Sequence, residues 1–330
     1  MSAMARVSSK LTAGAPGVHP KLVQTPSLGS VLRAKSTPTD GSGNPKSTRL
    51  RTGSLADAER LGVICYEAFK QIAEQHHFPP DFPAPAVATD LMRMMLSRNN
   101  IHAVVAETDG RPVGSNFLWE GGTVAGVGPI TIDPEAQNGA IGRALMEAVL
   151  ERARKQGIAS VRLVQAAYHA RSLALYTKLG FVVREPLVVL QGPALGLRMD
   201  GYEVRPGTEA DVDALNQLCR RVHGHDRASD LREAVQHKTA TVVEREGWLT
   251  GYATGIGFFG HALGETADDL KALIGAAPGY AGPGFLLPMR NTAVFRWCLD
   301  QGLRVVQPMT LMTIGPYKEP EGAFLPSILF

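Results

Sequence analysis

Cysteine is scarce. The three thiols, Cys65, Cys219 and Cys298, stand far apart in 330 residues, which argues against a disulfide framework and leaves no pair at metal-ligating spacing. Long apolar runs are missing as well. No stretch approaches the roughly 20 residues needed to span a bilayer, so an integral membrane protein is not expected. Acids are nearly absent from the first fifty residues, which hold seven Lys or Arg against Asp40 alone, a local charge of +6. The whole chain carries +3, so the other 280 residues carry −3. That mildly acidic remainder gives no electrostatic footprint for nucleic acid. The leading segment also has no aromatic residue and is rich in Ser, Thr, Pro and Gly. It cannot bury enough apolar surface to offset chain entropy, so residues 1–47 read as a disordered basic extension. Its composition is also that of an organellar transit peptide, whereas no apolar core of roughly 7–15 residues marks a secretory signal. A cytoplasmic location is expected, with organellar targeting left open.

Against these absences, 44% hydrophobic and 20% charged residues describe a globular protein, and the length is sufficient for two cores. The chain repeats itself. "RTGSLADAERLGVIC" (51–65) aligns with "RPGTEADVDALNQLC" (205–219), so that Arg51, Gly53, Ala56, Asp57, Leu61 and Cys65 recur 154 positions later, from 51 to 205. Ser54 becomes Thr208, another residue suited to open a helix. "VVAETDGRPVG" is echoed by "TVVEREGWLTG", matching Glu107, Gly110 and Gly114 with Glu244, Gly247 and Gly251; both read as β-hairpins. "LALYTKLGF" is mirrored by "VFRWCLDQGL", each a helix closed by a glycine, Gly180 or Gly302. Three matches in the same order predict a duplicated α/β domain, with units at 48–198 and 199–330.

The first unit predicts a strand at 48–52, helices at 54–74 and 85–98, and strands at 102–107, 112–119 and 123–132. A helix at 141–156, a strand at 160–166, a helix at 170–179 and a strand at 181–190 complete it. The early strands form an antiparallel meander, and the later strand–helix–strand portion requires parallel pairing through a crossover. Between strand 123–132 and helix 141–156 lies "PEAQNGAIGR", small residues followed by Arg143. One reading is a tight turn. The other is an anion site, because a helix N-terminus presents unpaired N–H groups and the positive end of its dipole. The Gly-Lys-Ser/Thr ending of a triphosphate loop is absent, and the glycine spacing of a dinucleotide fingerprint is not met.

"VGPITIDPEAQNGAIGRALM" and "SLALYTKLGF" together resemble the GNAT superfamily of acetyl-CoA-dependent N-acetyltransferases. The resemblance runs from about 48 to 191. It implies two tandem GNAT-like α/β domains, each a mixed, mostly antiparallel sheet flanked by helices. It also implies that a Q/R-x-x-G-x-G/A loop binds the CoA pyrophosphate through main-chain N–H groups. Gln137 and Gly142 match that pattern, Ala140 stands where its first glycine is usual, and Asn138, Gly139, Ile141 and Arg143 complete the loop. If position 140 needs φ > 0, alanine costs on the order of 1 kcal/mol there. The preceding strand is implied to be splayed, so that Ile130, Thr131 and Ile132 orient the thioester through their backbone. His169 holds the place seven residues before the tyrosine that is often Asn. Ser172 and Tyr176 fall beside the thioester, and Tyr176 is the implied acid for the leaving thiolate. A phenol of pKa about 10 stays protonated at neutral pH and can serve a thiolate whose conjugate acid lies near 8.5.

The acceptor amine also needs a base. A lysine-like amine with pKa about 10.4 is only about one part in a thousand neutral at pH 7.4, a cost of roughly 4 kcal/mol. The strand 123–132 has no carboxylate before Asp133, so Glu120 is the first candidate, followed by His169 and Glu107. The loop "QHHFPPDFP" (75–83), with His76, His77 and Asp81, is the implied wall of the acceptor pocket or else a stiff surface connector. The second unit has no matching loop: "GHALGETADD" separates its strand 248–258 from helix 266–276, Cys298 replaces Tyr176, and Asn291 replaces His169. It reads as a degenerate domain that adds to the acceptor cleft. "VHGHDR" (222–227) offers His223, His225 and Asp226, with His261 and Glu265 elsewhere, but no spacing ties them to a metal. The cluster reads as a polar loop along the interdomain cleft, and no metal is expected. Arg290 and Arg296, in "RNTAVFRW", read either as an anion-recognising pair or as the outer face of a helix. The function expected is direct transfer of acetyl from acetyl-CoA to a small-molecule or peptide amine, without nucleic acid or membrane. The alternative is a non-catalytic acyl-CoA sensor or assembly module. Sequence sets neither the acceptor nor the oligomeric state.

Overall fold

The computed structural model describes residues 48–137 and 140–329. The basic extension 1–47 and two loop positions, Asn138 and Gly139, lie outside the described residues. The first half runs β1 (Thr48–Thr52), α1 (Ala58–Gln75), α2 (Pro85–Ser97), β2 (Ile101–Thr108), β3 (Arg111–Glu120), β4 (Val124–Val127), β5 (Thr131–Ile132), α3 (Ile141–Lys155), β6 (Ser160–Ala166), α4 (Ala170–Lys178) and β7 (Val182–Gln191). The second runs β8 (Tyr202–Pro206), α5 (Val212–His223), α6 (Ala228–Gln236), β9 (Thr241–Arg245), β10 (Trp248–Ala253), β11 (Ala262–Gly264), α7 (Ala267–Ala276), β12 (Phe285–Pro288), α8 (Thr292–Asp300), β13 (Arg304–Ile314) and β14 (Ala323–Leu325).

The repeated residues perform the same task twice. Asp57 caps the turn that opens α1 by accepting from the Ser54 N–H at 2.8 Å, while Arg51 grips it at 2.6 and 2.9 Å and reaches Glu107 at 2.7 Å. In the second half Asp211 accepts from Thr208 N–H at 2.8 Å, and Arg205 holds it at 2.9 Å and Glu244 at 2.6 Å. Each network ties an edge strand, the first helix and a hairpin together. The arginines keep both aspartates well below the usual carboxylate range, and charge-assisted bonds of this kind are among the stronger ones.

Helices cover both faces of the first sheet, so its strands are apolar on both sides. Ile101, Ala103 and Val105 of β2 pack under α1 and α2, while Val104 and Ala106 face α3 and α4. The two sheets differ in pairing. One has nine strands in the order β1-β2-β3-β4-β6-β13-β7-β12, with β5 on β3; the other is β14-β11-β10-β9-β8. Among the described strands only β4 and β6 pair in parallel, and the ladders of the smaller sheet are all antiparallel rather than mixed.

The expected parallel crossover is β4–α3–β6. The next crossover does not close in the same way: β13, from the second half, lies antiparallel between β6 and β7. β7 in turn pairs with β12. β12 and β13 of the second half therefore complete the nine-stranded sheet that the first half begins, while β14 stays in the smaller sheet. The expected strand 123–132 is instead two short strands. Pro129 lacks an N–H to donate, and the β4–β6 ladder stops at Gly126↔Arg162 while β5 pairs with β3 alone. Beyond that point β5 and β6 diverge.

A chain ending at residue 198 lacks β13 and leaves facing edges of β6 and β7 without partners. It should show no cooperative unfolding transition by circular dichroism; a monomeric fragment with a sharp transition would mean that β6 and β7 can close on each other. Ala140 sits at the N-terminus of α3 with φ 60° and ψ 3°, a conformation that glycine adopts freely. Ala140→Gly should raise the unfolding free energy by about 1 kcal/mol in urea titrations; no gain would mean the strained backbone is offset locally.

Candidate active site

The divergence of β5 from β6 opens a cavity of about 450 Å³, within the usual range for a small-molecule site. Ile130, Thr131 and Ile132 form one wall, and Gln137, Ala140, Ile141, Gly142 and Arg143 line the mouth at α3. His169, Ser172 and Tyr176 reach it from α4. The structure thus brings these sequence-selected residues into one place. Gly142 allows the close approach: a Cβ there would lie 3.1 Å from Ile132 Cδ1.

The N-terminus of α3 is open. Among the described residues no side chain caps it, its first turn holds no acid, and Arg143 adds positive charge beside it. Arg143 leans on Glu147 at 3.2 Å, and Arg171 Nη1 donates to Gln137 Oε1 at 3.4 Å. The second half closes the equivalent helix. Thr266 accepts from Asp269 N–H at the start of α7, and Asp268 and Asp269 place two acids in that first turn. Asp269 is fully buried and accepts a further bond from Thr250 at 2.7 Å. An anion is favoured at α3 and repelled at α7.

On α4, positions 169, 172 and 176 follow helical spacing and share a face. Ser172 Oγ lies 2.8 Å from His169 Nδ1. Burial, then Arg171 and His76, push His169 down to about 4, so the imidazole is neutral near pH 7 and a weak base. Tyr176 is 5% exposed and lies edge-on to Phe181. Burial pushes its phenol up to about 12, with a Ser172 hydrogen bond working the other way. Tyr176 is therefore a proton donor across the physiological range.

The carboxylates named as bases fall elsewhere. Glu120 is held by Arg152 at 2.6 and 3.0 Å and does not line the cavity. Glu107 bridges Arg49 and Arg51, which hold it below the usual range. Asp81 does line the cavity. The 75–83 loop is packed rather than loose, with Phe82 edge-on to Phe69 at 5.7 Å and Phe78 stacked on Tyr168 at 4.2 Å. The second half contributes Phe258, Phe259, Gln307, Met309, Ile328 and Leu329 to the wall. Gly126 is required by this arrangement, since a Cβ there would lie 1.9 Å from the Leu329 carbonyl oxygen. No sequence signal marked these second-half positions, because pairing between the halves brings them in.

His223, His225 and His261 are buried together instead of forming a polar loop. His223 Nε2 and His261 Nε2 lie 3.1 Å apart, and burial lowers all three imidazoles. Among the described residues no group of three or more His, Cys, Asp or Glu is placed to hold a metal. Arg290 donates to Glu185 of β7 at 2.7 Å and so serves the junction of the halves. Among the described residues no helix is long and apolar enough to cross a membrane.

Comparison with known proteins points the same way. The acetyltransferase (GNAT) family matches residues 66–181. An IAA acetyltransferase of Azospirillum brasilense is 34% identical over 106 residues, covering 31% of this chain and 69% of that protein. The ribosomal protein bS18-alanine N-acetyltransferase of Escherichia coli is 40% identical over 52 residues, 16% of this chain and 35% of its own length, so the chain matches only about a third of that relative. A GCN5-related N-acetyltransferase of Sphaerobacter thermophilus shares the fold, with a TM-score of 0.55 at 14% identity over 84% of this chain and 99% of its own. With an open helix mouth, a protonated buried tyrosine and these matches, the chain belongs to the GNAT family of acetyltransferases and is an acyltransferase.

Proposed function

We propose that the first half transfers an acetyl group from acetyl-CoA to a primary amine by direct attack in a ternary complex. The observation that carries this reading is the convergence of the open α3 terminus and the His169–Ser172–Tyr176 face on one cavity. Main-chain N–H groups of the 137–143 loop hold the pyrophosphate, with Arg143 beside them. The backbone of Ile130, Thr131 and Ile132, which has no ladder to β6, receives the pantetheine arm as an added strand. Tyr176 donates a hydrogen bond to the departing sulfur. Full proton transfer from a phenol near 12 to a thiolate of ordinary basicity is uphill, but burial disfavours both anions alike. The hydrogen bond stabilises the thiolate until a proton from the attacking nitrogen arrives.

The second half binds no CoA of its own: its acids occupy the helix terminus where the pyrophosphate would sit. It shapes the acceptor side instead. The names of the two relatives specify IAA and an alanine of a ribosomal protein, and the acceptor class here is taken from neither, since the acceptor wall includes second-half residues. A sensor has no need of a protonated tyrosine over the thioester, which favours catalysis.

Replacing Gly142 with Asp and Arg143 with Glu together should weaken acetyl-CoA binding at least ten-fold by calorimetry. Undiminished binding would move the pyrophosphate away from α3. Tyr176→Phe should lower kcat ten-fold or more with acetyl-CoA affinity held, and an unchanged kcat would remove Tyr176 from the mechanism. Because its phenol is raised rather than lowered, wild-type kcat should stay level from pH 8 to 10 on Tyr176's account; an alkaline limb near 10 that vanishes in Tyr176→Phe would contradict the burial argument.

A further inference from the structure

Asp81 is the one carboxylate among the described residues lining the cavity. It stands in the loop between α1 and α2, and the second half fixes it. Gln307 of β13 donates from Nε2 to Asp81 Oδ1 at 3.0 Å, and its Oε1 accepts from the Tyr168 hydroxyl at 3.0 Å. Both ends of the Gln307 amide are thus assigned, and the side chain is 2% exposed. Tyr168 is itself clamped by the stacked Phe78 ring, with 9° between planes. Asp81 is therefore aimed by Gln307, whose amide is in turn oriented by Tyr168.

No described Lys, Arg or His forms an ion pair with it. The titratable groups that face it are Tyr168, pushed up to about 12 by burial, and Cys65 of α1, also raised by burial. Both are neutral near pH 7. The arginines that line the cavity stand on α3 and α4, and its lining also includes the apolar Phe69, Ile72, Phe82, Phe258 and Met309. Asp81 is half-buried, and a carboxylate partly withdrawn from water without a cation costs free energy that an incoming cation recovers.

We infer that Asp81 receives the ammonium of the acceptor and takes its proton, with Gln307 as a positioning residue from the other half, and that the acceptor is a small primary amine on an apolar body. This rests on the acetyl-transfer reading above. The ammonium gives one proton to the Asp81 carboxylate, and the freed nitrogen pair forms the N–C bond at the thioester carbonyl. The C–S bond then breaks with its electron pair going to sulfur. The second nitrogen proton passes to that sulfur, directly or through Tyr176, and Asp81 releases its proton to water. The sum is an amide, a thiol and one proton. The same burial that raises the Asp81 carboxyl lowers the pKa of an ammonium beside it, which brings the two closer.

The test compares 2-phenylethylamine with 2-phenylethanol by calorimetry at pH 7, with and without saturating CoA, in wild type and Asp81→Asn. The wild type should bind the amine at least ten-fold more tightly than the alcohol. Asp81→Asn should lose that preference while holding acetyl-CoA affinity within two-fold. Equal binding of the two probes by wild type, or a preference that survives in Asp81→Asn, would overturn the inference. A wild type that fails to bind CoA would overturn the acetyl-transfer reading alone, since the probe comparison without CoA still decides the role of Asp81. An alanine-initiated tripeptide amide that bound more tightly than 2-phenylethylamine would overturn the small-molecule assignment. Gln307→Leu removes a donor to the carboxylate, so the acid limb of kcat/KM for 2-phenylethylamine should move upward in pH; an unmoved limb with normal folding would deny Gln307 its positioning role.

Discussion

The ladder β6–β13–β7–β12 couples the two halves, because β12 and β13 of the second half hydrogen-bond to β6 and β7 of the first. Backbone pairing across that junction cannot be undone locally without leaving long strand edges unpaired. The consequences reach the site directly. β13 places Gln307 and Met309 in the cavity wall, and the segment after β14 brings Ile328 and Leu329 against Gly126. With β6 held by β13 on one side, its other edge is free to diverge from β5. The gap in the first sheet is thus supported by a strand of the second half. A duplicated chain whose halves merely touched would leave that wall to a weaker contact between separate surfaces.

The same duplication fits the proposal that only one half carries the chemistry. Both halves keep the Arg–Asp–Glu network at the start, which fixes the first helix to its sheet. They differ where a ligand's charge would fall. At α3 the backbone N–H groups have no side-chain cap among the described residues and no acid in the first turn, whereas at α7 Thr266 and Asp269 satisfy and neutralise the same groups. The capping box stabilises α7 by an amount typical of good caps, on the order of 1 kcal/mol. α3 forgoes that gain and adopts a left-handed alanine besides. The less stable terminus is the one free to bind.

What was legible in the sequence follows the range of the interactions involved. Arg51, Asp57 and Glu107 announced themselves by recurring at 205, 211 and 244, and the structure joins each set into one network. The 137–143 loop and Tyr176 were visible because they depend on local spacing along a helix. Partner choice was not. Strand periodicity in 304–314 predicts a strand but says nothing of whether it pairs with its own half or the other. Glu120 looked available as a base because Arg152, thirty-two residues later, is reached only through α3 packing on the sheet. Gln307 reads as an ordinary strand residue until β13 is placed beside β6. Asp81 stood in a loop that sequence read as either an acceptor-pocket wall or a surface connector, and only the packed loop and its place in the cavity lining decide between them.

Charge in the cavity is arranged so that chemistry relieves it. His169, Tyr168 and Tyr176 are all held neutral by burial, so the charges left among the described lining residues are Asp81 and, on α3 and α4, Arg143 and Arg171. On the proposed reading, an anionic pyrophosphate near α3 and a cationic amine near Asp81 bring two charged ligands into one cavity. Acylation converts the ammonium into a neutral amide and the thioester into a neutral thiol. The product loses the one feature that Asp81 attracts, while the pyrophosphate contacts are unchanged. A low-dielectric acceptor pocket thus binds substrate more strongly than product, and the amide should leave before CoA does.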